Sequence, residues 1–266
     1  MAAVSALRPA LGALAAAVED AAARLQTGGR LAYAGAGTSG RIGVQDGAEL
    51  GPTFDWPAER VLFLMAGGEA ALIRSAEGAE DRADSAELDV RAAGLGQGDV
   101  LVGVAASGST PYTVTCVRAA RAAGALTIGI ANSPGSALLE AAEHPVLIET
   151  GPEVVAGSTR LKAGTAQKVA LNLFSTAVMA RLGRVYRGQM VDMLARNDKL
   201  RRRAVRMLRA LTGCSTEQAA AALAQTQGRV KLAVLVVGGM PIADAAALLE
   251  RSGGNLRVAE LQRTKS

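Results

Sequence analysis

The sequence predicts an α/β fold: a five-stranded parallel sheet flanked by helices as a three-layer sandwich, followed by a small C-terminal helical bundle. Three observations carry this. Five short apolar runs recur within the first 150 residues, stretches of helical periodicity separate them, and two of the runs end in loops rich in glycine and hydroxyls. Runs that are continuously apolar, rather than alternating, imply burial on both faces, which a parallel sheet covered by helices provides.

A first helix covers residues 11–25 and is broken by Thr27-Gly28-Gly29. Residues 30–35 read as the first strand; its glycine-rich loop leads to a helix over 41–50. Residues 61–65 form the second strand, with a helix beginning over 70–76. The third strand, 99–105, ends in Ser107-Gly108-Ser109-Thr110, and Pro111 suits the start of a helix continuing over 112–123. Residues 126–130 and 145–148 complete the strand set, and a long helix follows over 161–181. From about residue 198 short helices are separated by Thr212-Gly213, Gly239-Met240-Pro241 and Gly253-Gly254, with Ser215-Thr216-Glu217 as a helix start. The expected division is a sheet domain over 1–195 and a helical domain over 196–266.

Composition narrows the chemistry. There are two cysteines, Cys116 and Cys214, and one histidine, His144. Zinc needs three or four closely spaced soft or imidazole ligands, so no metal is expected. A Ser-His-Asp or Cys-His apparatus would rest on His144 alone. Carboxylates, hydroxyls, lysines or backbone amides must carry any reaction, without a cofactor. Aromatic residues make up 3%, which argues against a stacking platform for single-stranded nucleic acid. Residues 1–180 hold 13 basic and 18 acidic side chains, and 181–266 hold 16 and 6. The basic excess concentrates over 196–209, where Leu200, Ala204, Met207, Leu208 and Leu211 fall near helical spacing, so it is read as the solvated face of an amphipathic helix and not a nucleic-acid patch. The N-terminus lacks a basic leader, no apolar run is long enough for a bilayer, and the cysteines are unpaired, so the expected location is the cytoplasm.

Gly35-Ala36-Gly37-Thr38-Ser39-Gly40 satisfies the dinucleotide pattern literally, but no acidic residue closes the second strand to hold a ribose. Its distinguishing feature is hydroxyls at a strand-to-helix junction, where side chains and backbone N–H groups converge on an anion. The same arrangement recurs at Ser107, Ser109 and Thr110, and a third cluster, Ser158-Thr159 with Lys162, precedes the long helix. Such loops at the carboxyl ends of parallel strands suit a phosphorylated sugar or polyol. Gly37, Thr38, Ser39, Ser107, Ser109, Thr110, Ser158, Thr159 and Lys162 are therefore the candidate binding residues.

Five motifs occur in order: Gly-Ala-Gly-Thr-Ser-Gly-Arg (35–41), Glu-Gly-Ala-Glu-Asp (77–81), Ala-Ala-Ser-Gly-Ser-Thr-Pro-Tyr (105–112), Gly-Ser-Thr-Arg-Leu-Lys-Ala-Gly-Thr-Ala-Gln-Lys (157–168) and Met-Val-Asp-Met (190–193), the last followed by Asn197 and Lys199. Over roughly residues 10–260 the chain resembles the N-acetylmuramic acid 6-phosphate etherases, of the sugar isomerase (SIS) domain superfamily. The resemblance implies an SIS-type sheet and a lyase that cleaves the D-lactyl ether of that sugar during cell-wall amino sugar recycling. It also implies a homodimer with sites near the interface, and several dozen further residues ahead of the first helix. By motif, the catalytic glutamates are Glu49 and Glu80. The chemistry agrees: a base must remove the C2 proton of the ring-opened sugar and an acid must protonate the departing lactyl oxygen. Glu80 has acidic neighbours, Glu77 and Asp81, and is read as the base. Glu49 stands beside Phe54 and Trp56, where loss of water favours the protonated form, and is read as the acid. The chain departs from the family at Ser109, where an arginine is usual, and over 47–53. Rival readings are a non-catalytic regulatory binder similar to the glucokinase regulatory protein, and a phosphosugar isomerase. An SIS-domain transcription regulator would need a DNA-binding domain that the 29 residues ahead of the first strand are too few to form.

Overall fold

The computed structural model describes residues 2–193 and 198–264. Strands β1 (Leu31–Gly35), β2 (Val61–Met65), β3 (Val100–Ala105), β4 (Leu126–Ala131) and β5 (His144–Leu147) form one wholly parallel sheet in the order β2-β1-β3-β4-β5. Every residue of β1, β3 and β4 is buried, as the continuous apolar runs require. The strand order reverses between β1 and β3, so the connections leaving them diverge and open a crevice at their carboxyl ends.

A short helix α1 (Ala2–Ser5) comes first, and helices α3 (Gly37–Ala48), α5 (Ala83–Ala93), α6 (Pro111–Ala122), α7 (Ala137–Ala141) and α8 (Lys162–Arg181) follow the strands. Helix α2 (Leu11–Gln26) buries Leu14, Ala17, Val18, Ala21, Ala22 and Leu25 and packs on β4 and β5. The stretch Ala2–Gln26 is long and apolar enough to pass for a membrane span by composition, but α2 spends its apolar stripe on the sheet.

Three features differ from the sequence expectation. The helix expected over 70–76 is a short 3-10 turn, Glu69–Leu72, and the regular helix begins only at Ala83; Gly67 and Gly68 before the turn and Gly78 after it all take positive φ. Helix α3 starts at Gly37, four residues before the expected start, which turns Thr38 and Ser39 from loop into first-turn residues. A small hairpin, β6 (Val185–Tyr186) with β7 (Gln189–Met190), was not foreseen; two-residue strands carry no periodicity, and its turn rests on Arg187 and Gly188 at positive φ.

The chain divides into two compact units, residues 1–49 with 57–178, and 50–56 with 179–266. The boundary expected at 195/196 lies outside the described residues, as do Arg196 and Asn197; segment 50–56 groups with the helical unit instead of the sheet. That unit contains α4 (Leu50–Phe54), the hairpin, and α9 (Asp198–Thr212), α10 (Thr216–Gln225), α11 (Val230–Val237), α12 (Ile242–Arg251) and α13 (Leu256–Arg263). Arg184 ties 50–56 in by donating to the carbonyls of Phe54 (2.7 Å) and Asp55 (3.0 Å) and lying 5.0 Å from the Trp56 ring centre. Helix α9 buries Ala204, Met207 and Leu208 and leaves Arg201, Arg202, Arg203, Arg206 and Arg209 exposed, the amphipathic arrangement expected. Ser215 caps α10 in a reciprocal box with Gln218.

One ion pair locks the start of β1. Asp99 accepts from Arg30 Nη2 (2.6 Å) and Nε (3.1 Å) and from the backbone N–H groups of Arg30 (2.8 Å) and Gly96 (3.0 Å). Burial works to raise the Asp99 carboxyl, but the guanidinium and the two amides outweigh it and hold it below the usual range. A depressed folded-state value means that this stabilisation is complete above the unfolded-state value, near 4, and is lost as pH falls through the folded one. Asp99→Asn is therefore expected to lower stability at pH 7 and flatten its decline in acid, as read by urea unfolding at pH 7 and pH 3. An unchanged acid slope would refute the assignment.

Candidate active site

The crevice between β1 and β3 is a cleft of about 500 Å3. Gly37, Thr38 and Ser39 approach it from the first turn of α3, Ser107, Ser109 and Thr110 from the loop after β3, and Thr159 from the loop before α8. Glu80 and Asp81 complete it from a 3-10 turn, Ala79–Asp81. Seven of the nine expected binding residues and one of the two expected glutamates thus share one cavity.

Two helices begin at this cleft. Ala36 and Thr110, the N-cap residues of α3 and α6, make no side-chain capping bond, so first-turn N–H groups remain for an anion. Each N-terminus carries about half a positive charge, and no lysine or arginine is among the lining residues. The described lining offers amides and hydroxyls, not cations, with serine at position 109. Ser107 Oγ accepts from Ser109 N (3.2 Å) and Oγ (3.1 Å), which folds that loop into a tight turn.

Ser39 has a second role. Its hydroxyl is 8% exposed and donates to Gln167 Oε1 (2.9 Å); Gln167 Nε2 donates to Asn132 Oδ1 (2.9 Å), and Asn132 Nδ2 to Ile148 O (2.8 Å). This buried chain ties α3 and α8 to the ends of β4 and β5. No motif pointed to Gln167 or Asn132 in this role, because the partners lie 128 and 35 residues apart.

The third hydroxyl cluster is not equivalent to the first two. Ser158 and Lys162 are not among the cleft's lining residues. The N-terminus of α8 is already occupied: Glu153 accepts from Ala163 N (2.9 Å) and Lys162 N (3.0 Å), and those amides hold its carboxyl below the usual range. Lys162 Nζ donates to Pro152 O at 2.5 Å.

Glu49 lies elsewhere. It caps the C-terminal end of α3, eleven residues beyond Thr38, about 16 Å along the helix axis. It is exposed, whereas Phe54 and Trp56 are buried, so its own chain does not supply the dry surroundings expected of an acid. Asp46, one turn earlier, is 2% exposed and accepts from Asn172 Nδ2 (2.6 Å) and Tyr33 OH (3.0 Å). Burial, with the nearby Asp46 charge, pushes the Tyr33 phenol well above its ordinary value.

The remaining nucleophile candidates are remote from this chemistry. The Cys116 thiol is fully buried in α6, and burial pushes it up to about 12. His144 opens β5, at the sheet edge opposite the cleft, and pairs with Asp20 Oδ2 at 2.9 Å.

Comparison with known proteins identifies the family. The family profile for the glucokinase regulatory protein N-terminal SIS domain matches residues 13–121, and the SIS domain profile matches 72–177. N-acetylmuramic acid 6-phosphate etherase of Deinococcus radiodurans is 52% identical over 256 residues, spanning 96% of this chain and 84% of the relative. Those of Streptomyces avermitilis and Cronobacter sakazakii are each 50% identical over 247 residues, spanning 92% of this chain and 79% and 83% of theirs. With half of its residues shared over nearly its whole length, and the hydroxyl loops and Glu80 gathered in one cleft, the chain belongs to the N-acetylmuramic acid 6-phosphate etherase family.

Proposed function

We propose that this protein is a carbon–oxygen lyase that cleaves the D-lactyl ether of N-acetylmuramic acid 6-phosphate, giving N-acetylglucosamine 6-phosphate and D-lactate. The observation that carries the reading is Glu80 facing a cleft formed at two helix N-termini and lined by hydroxyls, in a chain half identical to etherases. The 6-phosphate sits at the first turns of α3 and α6, with Thr38, Ser109 and Thr110 donating hydroxyls. The ring-opened sugar then places C2, whose proton the adjacent aldehyde acidifies, within reach of Glu80. Glu80 takes that proton, the C3–oxygen bond breaks, and a second carboxylic acid protonates the leaving lactyl oxygen. Water adds at C3 of the unsaturated aldehyde and restores the hydroxyl.

Glu49 is that second acid. About 16 Å of helix separates it from its own cleft, so it serves the cleft of a second copy, and the working enzyme is a homodimer with composite sites. Serine, threonine and glutamate suffice for the reaction, with no metal or cofactor, in the cytoplasm where the phosphorylated sugar is handled. A regulatory binder is the competing reading, because one matching profile is named for a regulatory protein. Incubation with N-acetylmuramic acid 6-phosphate in deuterated water decides between them. D-lactate release with one deuterium at C2 of the product is expected; binding without lactate or exchange would leave the regulator.

A further inference from the structure

A second cavity of about 320 Å3 opens beside the first, and the two share Ala36, Gly37 and Glu80. Glu80 therefore stands at the junction of a hydroxyl-lined cleft and a pocket of different chemistry. Five alanines line that pocket: Ala36, Ala66, Ala71, Ala76 and Ala79. The wall is firmly backed, because a Cβ on Gly67 would lie 2.6 Å from the Ala76 methyl, 3.2 Å from that of Ala71 and 3.3 Å from that of Ala79. Arg41 is the one cation lining it among the described residues. It lies one helical turn after Gly37, on the same face of α3. Its Nε and Nη2 are held by Ala71 O at 3.0 and 2.8 Å, and Nη2 also reaches Arg74 O at 3.5 Å. Its Nη1 has no protein partner among the described residues, so a fixed guanidinium presents both Nη1 hydrogens.

We propose that this pocket is the subsite for the 2-acetamido group of the sugar, its methyl against Ala71, Ala76 and Ala79 and its carbonyl oxygen accepting from Arg41 Nη1. The assignment rests on the reading above, in which Glu80 addresses C2: the substituent on that carbon is the one brought to the pocket beside Glu80. Charge points the same way. Glu77 and Glu80 both line the pocket against the single Arg41, so it suits a neutral amide and repels the carboxylate of a lactyl group. The small side chains leave room for a methyl, while the two Nη1 hydrogens can donate to an acceptor.

Titration calorimetry tests this with N-acetylglucosamine 6-phosphate and glucose 6-phosphate, which differ at C2 and need no turnover. The acetamido sugar is expected to bind the unmodified protein about tenfold more tightly, the worth of one buried methyl and one hydrogen bond. Ala76→Leu, which fills the pocket from an exposed position, and Arg41→Met, which removes the donor, are each expected to erase that preference and leave glucose 6-phosphate binding unchanged. Equal affinities in the unmodified protein would overturn the subsite alone, as would variants that weaken both sugars alike. A variant that weakened only N-acetylmuramic acid 6-phosphate would hand the pocket to the lactyl group. Failure of both sugar phosphates to bind would bring down the sugar-phosphate reading together with the subsite.

Discussion

Glu80→Gln is expected to slow lactate release by about a thousandfold while N-acetylglucosamine 6-phosphate still binds, because the amide keeps the shape of the carboxylate but cannot take a proton from C2. Glu49→Gln is expected to do the same for a different reason: it removes the proton donor for the lactyl oxygen. The two variants separate in mixture. If Glu49 serves the cleft of a second copy, a dimer of one Glu49→Gln chain and one Glu80→Gln chain holds one cleft with both glutamates intact. Random exchange of equal amounts makes half the dimers mixed, so about a quarter of the unmodified activity should return. The measurement is lactate production after co-refolding or co-expression, with each variant alone as control. No recovery would mean that both glutamates act within one chain, and the 16 Å separation along α3 would then have to be closed by a rearrangement.

Gly40→Val is expected to have the largest structural effect, about 3 kcal/mol or more, roughly 6–12 °C in Tm for a protein of this size. Helix α3 crosses β1 so closely at Gly40 that a Cβ there would lie 2.7 Å from Gly35 O and 2.4 Å from Met65 Sδ. The methionine can swing aside; the strand carbonyl cannot. The helix must therefore lift from the sheet, carrying the first turn that holds Thr38 and Ser39 away from the loop after β3. Loss of sugar-phosphate affinity should accompany the loss of stability. A variant that folds with unchanged Tm would show that the close crossing is not needed.

Much of this protein was legible in advance because it depends on local pattern. Val61–Met65 was read to the residue, and the other strands to within a residue or two, since burial on both faces demands continuous apolar runs. The hydroxyl loops were legible because a strand-to-helix junction is a local signal. Glu80 was singled out by its motif, and it lines the cleft. The helix expected over 70–76 failed because three glycines outweighed a weak apolar run.

The amino-acid order alone determined that a parallel sheet forms, which strand-to-helix junctions carry glycines and hydroxyls, and that carboxylates and hydroxyls are the candidate groups in a chain with one histidine and two distant cysteines. Only the tertiary structure decided which of three similar loops meet. The strand order brings the β1 and β3 loops together at the point of reversal, while Glu153 occupies the third helix start. It also decided that Ser39 belongs to a buried hydrogen-bond chain, and that Glu49 stands a full helix away from Thr38. The physical reason is that sequence spacing measures distance along the chain, whereas a site is assembled by long-range pairing and by the rigid 1.5 Å rise of a helix. Eleven residues of sequence become the two ends of one helix.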